Sequence, residues 1–299
     1  MIYLSAFYFP DRDAEFSFRM SEKRTCFDSV YPFHVLSGRG LSSLEMDHIT
    51  LLYGGNGSGK TTALNVMAEK LALQRGALYN RSGFFEKYIA LCDYSIHRPI
   101  PPGSRVITSD DVFDFMLDVR AVNQGIDLKR EDVFEEYLAL RDANPGNRYS
   151  QFRLRSIADY EQLKKLNAAR HKTQSRFTRQ FLPDNIREQS NGESAYAYFS
   201  HMIGENCLYL LDEPENSLSP QRQVDLRELI EQSVRFFGCQ FIIATHSPFL
   251  LALRDARVYN LDADPPRVQK WTELPNVRAY FDFFEQHRRA FLSDDATQK

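Results

Sequence analysis

The chain has 299 residues, 43% of them hydrophobic and 26% charged, with a formal net charge of −3. That length provides one large or two ordinary domains with a real core, and the near-neutral balance excludes wholesale attraction to nucleic acid while leaving room for a local patch. Cys26, Cys92, Cys207 and Cys239 are scattered without C-x-x-C pairing and read as buried, reduced thiols, and no apolar run approaches the roughly 18 residues of a membrane span.

The opening residues Met1 to Pro10 lack a basic n-region and a cleavage site, so a cytoplasmic location without membrane contact is expected. Tyr3 to Phe9 alternates with aromatic residues on one face, as an outer strand does. A second strand pair is expected around Phe16 to Phe18 and Cys26 to Val35. The apolar run Ile49 to Tyr53 then leads directly into Gly54-Gly55-Asn56-Gly57-Ser58-Gly59-Lys60-Thr61, a full G-x-x-x-x-G-K-[ST] match. A phosphate loop needs that context: a buried strand, a Gly-rich turn, and a helix whose free N–H groups point at an anion. Leu64, Met67, Ala68 and Leu71 recur at i, i+3, i+4 and i+7, so one face of the following helix packs on a sheet. Lys60 then reaches the β- and γ-phosphates of a nucleoside triphosphate, the Thr61 hydroxyl holds magnesium, and Thr62 completes the binding set.

Further strands are expected at Val106 to Thr108, Leu208 to Leu211, Phe241 to Ala244 and Val258 to Leu261, with a helix from Gln221 to Phe236 after the breaker Pro220. Alternation of strand and helix around a phosphate loop is that of a parallel α/β sheet. Between Asp110 and Gln189 strand-like runs vanish. The helical patterns Val112 to Val119, Val133 to Leu140 and Ile157 to Leu166 are separated by the turn signals Asn123-Gln124-Gly125 and Asn144-Pro145-Gly146. This reads as an inserted helical lobe whose second half is basic, since Arg148 to Arg187 holds ten Lys/Arg against three Asp/Glu. The expected division is residues 1–109 and 190–299 as two parts of one core, with 110–189 as the lobe and a polar tail at 293–299. Cys207 to Pro214 is an apolar strand ending in two adjacent carboxylates. Asp212 can hold Mg²⁺ through water, and Glu213 can take a proton from the attacking water in an in-line displacement.

Asp-Glu-Pro directly after an apolar strand resembles the ATP-binding-cassette class of ATPases. Ser190-Asn191-Gly192-Glu193-Ser194 lies 22 residues before Asp212, ahead of a helix expected at Ala195 to Ile203, where that class carries its signature motif. Thr245-His246-Ser247, with His246 lying 34 residues beyond Asp212, resembles its switch histidine. The Ser-x-Gly-Glu wording is closer to chromosome-maintenance, recombination-repair and related AAA-type ABC ATPases than to transporters. Leu-Leu-Asp-Glu-Pro-Glu-Asn-Ser-Leu-Ser-Pro with Ala-Thr-His-Ser-Pro-Phe-Leu also resembles a group of small bacterial AAA-family ATPases, some relatives of which serve in phage-defence operons. The resemblance spans about Tyr31 to Trp271 without parts of the lobe.

The resemblance implies an α/β P-loop NTPase of ABC-ATPase type, with a parallel sheet core, an outer antiparallel β part and the inserted helical lobe. It implies ATP and Mg²⁺ as ligands, and a homodimer in which Lys60 and Thr61 of one chain face Ser190, Gly192 and Glu193 of another across the γ-phosphate. His246 would sense that phosphate and help position water for Glu213, and a helix starting near Ser194 would add partial positive charge. Three places depart from the class. Ser219 replaces the D-loop aspartate, Ser109-Asp110-Asp111 stand where the Q-loop glutamine is usual, with Asp110 the better substitute, and the adenine-stacking residue is open between Tyr31 and Phe33, for either of which core packing is the alternative. The reading is an ATPase that switches or loads a partner in DNA maintenance or phage defence, touching DNA or RNA through the basic lobe or an effector protein encoded nearby. The alternative is a nucleotide-switched module that contacts only protein. A transporter motor lacks its signature wording, and no HNH-like nuclease cluster follows the cassette.

Overall fold

The computed structural model describes residues 1–23, 29–142, 173, 176, 178 and 191–292. Cys26, the turn at 144–146, the helix at 157–166, the basic residues of 148–187 other than Arg176, Ser190 and the tail at 293–299 lie outside the described residues. Two compact units are present, residues 1–113 with 191–299, and residues 114–190.

The first unit holds two sheets. Strands β1 (Leu4–Tyr8), β2 (Ser43–Glu45) and β4 (Asp93–Ile96) form an antiparallel sheet in the order β2-β1-β4. The other sheet has the order β5-β6-β7-β3-β8-β9 and comprises β3 (Ile49–Tyr53), β5 (Arg105–Thr108), β6 (Leu208–Asp212), β7 (Gln240–Ala244), β8 (Arg257–Asn260) and β9 (Arg267–Val268). All neighbours in it are parallel except the edge pair β8 and β9. β3, β6 and β7 are buried at every residue, which is why they read as unbroken apolar runs rather than alternating ones.

The two sheets are tied by a buried amide. Gln240 Oε1 accepts from the N–H groups of Tyr3 at 2.8 Å and Leu4 at 3.0 Å, while its Nε2 donates to the carbonyls of Leu4 at 2.8 Å and Asp47 at 3.0 Å. Both donors and both acceptor positions of the side chain are used, so a polar group sits in the core without cost from an unpaired atom.

Helix α2 (Lys60–Lys70) follows the glycine-rich loop after β3. Leu64, Met67, Ala68 and Leu71 are buried as their spacing implies, but Ala63, Asn65 and Val66 are buried too. The helix is therefore covered on more than one face, and α3 (Phe85–Leu91), carrying the fully buried Phe85 and Tyr88, supplies part of that cover.

Three expectations need correction. Phe16 to Phe18 is not a strand; it lies in α1 (Arg12–Ser21), whose first turn is capped by Asp11 accepting from Ala14 N–H at 2.8 Å. Phe18 stacks on Phe33 at 4.6 Å between centroids while Phe16 is exposed, so the short alternation marked a helix with one packed aromatic. Residues 29–35 form turns rather than a strand. Asn123-Gln124-Gly125 does not break the chain, because α4 runs unbroken from Ser109 to Asp142. A glycine inside a helix costs about 1 kcal/mol relative to alanine, less than dividing a 34-residue helix.

Helix α4 starts directly after β5 through a reciprocal cap. Asp111 Oδ2 accepts from the N–H of Thr108 at 2.7 Å and from its hydroxyl at 2.8 Å, and Thr108 Oγ1 accepts from Asp111 N–H at 3.2 Å. Residues 114–142 of α4 belong to the second unit. The remaining helices of the first unit are α5 (Asn191–Met202), α6 (Pro220–Phe236), the single turn α7 (Pro248–Leu251), α8 (Pro275–Gln286) and α9 (Arg288–Leu292).

Candidate functional site

Parallel pairing puts the chemistry on one edge. Leu52 and Asp212 both lie opposite Ala244, and Thr108 lies opposite Asp212, so the carboxyl ends of β3, β7, β6 and β5 stand side by side. Gly54, His246, Glu213 and Asp110 each follow one of those ends within two residues, which is where open α/β sheets bind ligands.

The loop after β3 turns through Gly57 at φ +78° and Gly59 at φ +95°, backbone that favours glycine. A Cβ on Gly54 would meet Ser58 Oγ at 2.5 Å, and one on Gly59 would meet Leu36 Cδ2 at 2.9 Å. The loop curls around the Lys60 ammonium, which is almost fully buried and donates to the carbonyls of Gly54 at 2.8 Å and Gly55 at 3.2 Å. A cavity of about 210 Å³ opens beside it, lined by Asn56, Ser58, Thr61, Thr62 and Glu213 among others. The N–H groups of Lys60, Thr61 and Thr62 face the first turn of α2, where a helix leaves donors without intrahelical acceptors. Ser58 Oγ is buried without a partner among the described residues. Free donors, a buried ammonium and a hydroxyl in want of a partner fit a polyphosphate.

Two acids face this loop from the end of β6. The Thr61 hydroxyl donates to Asp212 Oδ1 at 3.1 Å, and Glu213 Oε1 lies 3.3 Å from Lys60 Nζ. Burial pushes the Asp212 carboxyl up to about 6; the Thr61 hydrogen bond opposes this, Glu213 adds to it, and the Lys60 and Arg75 charges oppose it. A hydroxyl and a buried carboxylate side by side are a hard-oxygen donor pair suited to Mg²⁺. Glu213 itself sits in left-handed backbone, φ +47° and ψ +52°, held by its N–H to the Ala244 carbonyl at 2.9 Å and by Asn216 Nδ2 to Oε2 at 3.1 Å. A non-glycine residue there carries a cost of order 1 kcal/mol or more, borne by a strand end that aims one acid at the phosphate loop.

A second cavity of about 460 Å³ shares Thr61 and Thr62 with the first and reaches Asp212, Asp110, Tyr31 and Tyr79. Asp111 is consumed by the helix cap and by Ala77 N–H at 2.6 Å, leaving Asp110 as the acid that β5's end contributes to the cavity wall beside Asp212. Phe33 is core, stacked on Phe18 and edge-on to Tyr88. Tyr31 instead lines the cavity and donates to Thr62 Oγ1 at 3.2 Å.

The signature segment differs in detail from expectation. Helix α5 already includes Asn191, ahead of the expected start near Ser194 or Ala195, so Gly192 and Glu193 lie within the helix. Glu193 Oε1 pairs with Arg222 Nη2 at 3.2 Å, on α6. Ser219, in place of the D-loop aspartate, occupies the N-cap position of α6. His246 is 44% exposed at the mouth of the edge, its Nδ1 3.4 Å from Glu215 Oε1.

Several residues around the site are missed by sequence reasoning. Asp262 accepts from Gly55 N–H at 2.8 Å, and Arg39 donates to the Gly57 carbonyl at 3.0 Å. Neither carries a local signal, since each reaches the loop only through the fold. Glu215 has one, as an acid directly after Asp-Glu-Pro.

A family model described as AAA domain, putative AbiEii toxin, Type IV TA system, matches residues 110–252, which include Asp212, Glu213 and His246. The chain itself has a mixed α/β fold with a mostly parallel sheet. Among solved structures, the chain is similar to an SMC head domain from Thermotoga maritima with a TM-score of 0.38 at 13% identity, covering 90% of this chain and 99% of that one. The Smc head domain of Pyrococcus furiosus, with an extended coiled coil and bound to the C-terminal domain of ScpA, gives 0.37 at 13%, covering 82% and 95%. A nucleotide-free ATP-binding cassette from an ABC transporter gives 0.35 at 17%, covering 80% and 90%. No curated protein matches the chain. Cys92, Cys207 and Cys239 are buried and free, and among the described residues no helix is long and apolar enough to cross a membrane.

Proposed function

We propose that the chain is a Mg²⁺-dependent ATPase that works as an ATP-sandwiched homodimer and switches or loads a partner in DNA maintenance or phage defence. The observation that carries the ATPase part is the double contact between loop and strand end, Lys60 to Glu213 at 3.3 Å and Thr61 to Asp212 at 3.1 Å. Lys60 and the free N–H groups of α2 bind the phosphates. Mg²⁺, held by Thr61 and Asp212, supplies neutralisation of phosphate charge when bound. Glu213 accepts the proton of the attacking water, and His246 orients that water or reads the γ-phosphate. Ser190, Gly192 and Glu193 serve the phosphate of a second chain, Ser190 through its hydroxyl and Gly192 through its N–H.

The role in DNA maintenance or defence rests on the resemblance of the motifs, on the match to the AbiEii-type AAA family and on the basic run at 148–187. Sedimentation of Glu213→Gln protein with and without Mg·ATP tests the sandwich. Trapped ATP should shift it from monomer to dimer, and a monomer under both conditions overturns the sandwich.

A further inference from the structure

Glu215 lies three residues past the magnesium-facing acid and is turned the other way. It is 6% exposed, and its Oε1 accepts from the Thr245 hydroxyl at 2.7 Å, from His246 N–H at 2.8 Å and from Ser247 N–H at 3.2 Å. The same oxygen is 3.4 Å from His246 Nδ1. One carboxylate oxygen thus gathers the whole loop after β7 together with the ring it carries. The loop is also held from two other sides: Ser247 Oγ donates to Gln223 Oε1 at 2.6 Å, and Asn276 Nδ2 donates to the His246 carbonyl at 3.0 Å.

We propose that Glu215 is the positioning residue of His246, fixing the loop and holding Nδ1–H so that Nε2 is the nitrogen presented to the reacting phosphate and its water. This rests on the ATPase reading above and extends it to a residue outside the phosphate-facing set. An imidazole whose Nδ1 hydrogen-bonds a carboxylate has its ring plane and tautomer set by that partner, and the 3.4 Å separation leaves only a small ring movement to make that bond. In the neutral ring Nε2 then accepts from water; in the protonated ring it donates to a phosphate oxygen. Either way Glu215 decides where Nε2 points.

Glu215 Oε2 is buried with no partner among the described residues. Glutamine would place two amide donors at that position.

Glu215→Gln in the full chain separates the two roles, because the amide carbonyl keeps the loop donors paired while the anionic partner of Nδ1 is lost. The readouts are the ¹⁵N signals of the His246 ring, assigned by comparison with His246→Ala, and the split between kcat and KM for ATP. Wild-type protein should show Nδ1 protonated, and Glu215→Gln should move the ring toward the Nε2–H tautomer. Turnover should fall about tenfold or more with KM changed less than about twofold, the range found when the partner of a working histidine is removed. Glu215→Asp should restore part of both. Ring signals identical in wild type and Glu215→Gln overturn the proposal, as does a fall in kcat matched by a rise in KM. Absence of turnover in the wild type would strike the ATPase reading instead, and the ring signals would still decide whether Glu215 governs His246.

Discussion

Lys60, at the end of the glycine-rich loop, and Glu213, directly after β6, form an ion pair, Nζ to Oε1 3.3 Å, with the lysine 4% and the glutamate 25% exposed. The pair joins the glycine-rich loop to the end of β6; the lysine also donates to the Gly54 and Gly55 carbonyls and the glutamate is steadied by Asn216. An ammonium suited to compensating phosphate charge and a carboxylate suited to taking a water proton thereby line the same small cavity.

Lys60→Ala should weaken Mg·ATP binding about a hundredfold, because hydrogen bonds to charged groups are worth roughly 1.5–3 kcal/mol each and the variant also leaves Glu213 facing phosphate unpaired. Titration calorimetry on protein shown to be folded by circular dichroism makes the measurement. Unchanged affinity would remove the phosphate-loop assignment.

Asp212 gives a pH dependence with a definite sign. Its carboxyl is raised from 3.8 to about 6 by burial, so between those values the folded chain holds a proton that the unfolded chain has lost. Stability of protein free of metal and nucleotide should therefore fall as pH rises through that window, by on the order of 3 kcal/mol in total. Asp212→Asn has nothing to titrate there. Denaturant melts from pH 4 to 7 should show wild type losing ground to Asp212→Asn as pH rises; a constant difference would contradict the buried-acid account.

Gln240→Leu should cost at least about 3 kcal/mol, since the backbone groups of Tyr3, Leu4 and Asp47 lose their partners in the core and each buried unpaired group costs roughly 1–3 kcal/mol. Urea unfolding checks it. A loss below about 1 kcal/mol would mean the two sheets are held by apolar burial alone.

The central strands and the glycine-rich turn after β3 were legible because they are continuous apolar runs next to fixed-spacing motifs, and burial at every residue of β3, β6 and β7 is the physical form of that signal. Helix α1 was not. Phe16-Ser17-Phe18 alternates over too few residues to separate a strand from a helix, and Asp11 as its cap decided the outcome. The Asn123-Gln124-Gly125 signal failed for another reason, since turn residues are tolerated inside a long helix at modest cost. Asp262 could not be read at all: its bond to Gly55 joins residues 207 apart in the chain.

The basic run at 148–187 separates nucleic-acid contact from a protein-only switch. Reversal of Arg153, Arg155, Lys164 and Lys165 to glutamate should weaken DNA or RNA binding by ATP-bound Glu213→Gln protein across sequences. Affinity before reversal should fall with log salt at a slope of about −0.9 per duplex phosphate neutralised. Binding indifferent to the four reversals, or absent in that state, would favour the protein-only switch.

The most direct test of the central claim compares Glu213→Gln with wild type for both Mg·ATP binding and phosphate release. The amide keeps the shape and can still accept from Asn216, but it cannot take the water proton, so affinity should stay within about threefold while turnover falls by about 10²–10⁴, the range for a lost general base. Phosphate release by Glu213→Gln at the wild-type rate would contradict the assignment of Glu213 as the base, and with it this account of the site.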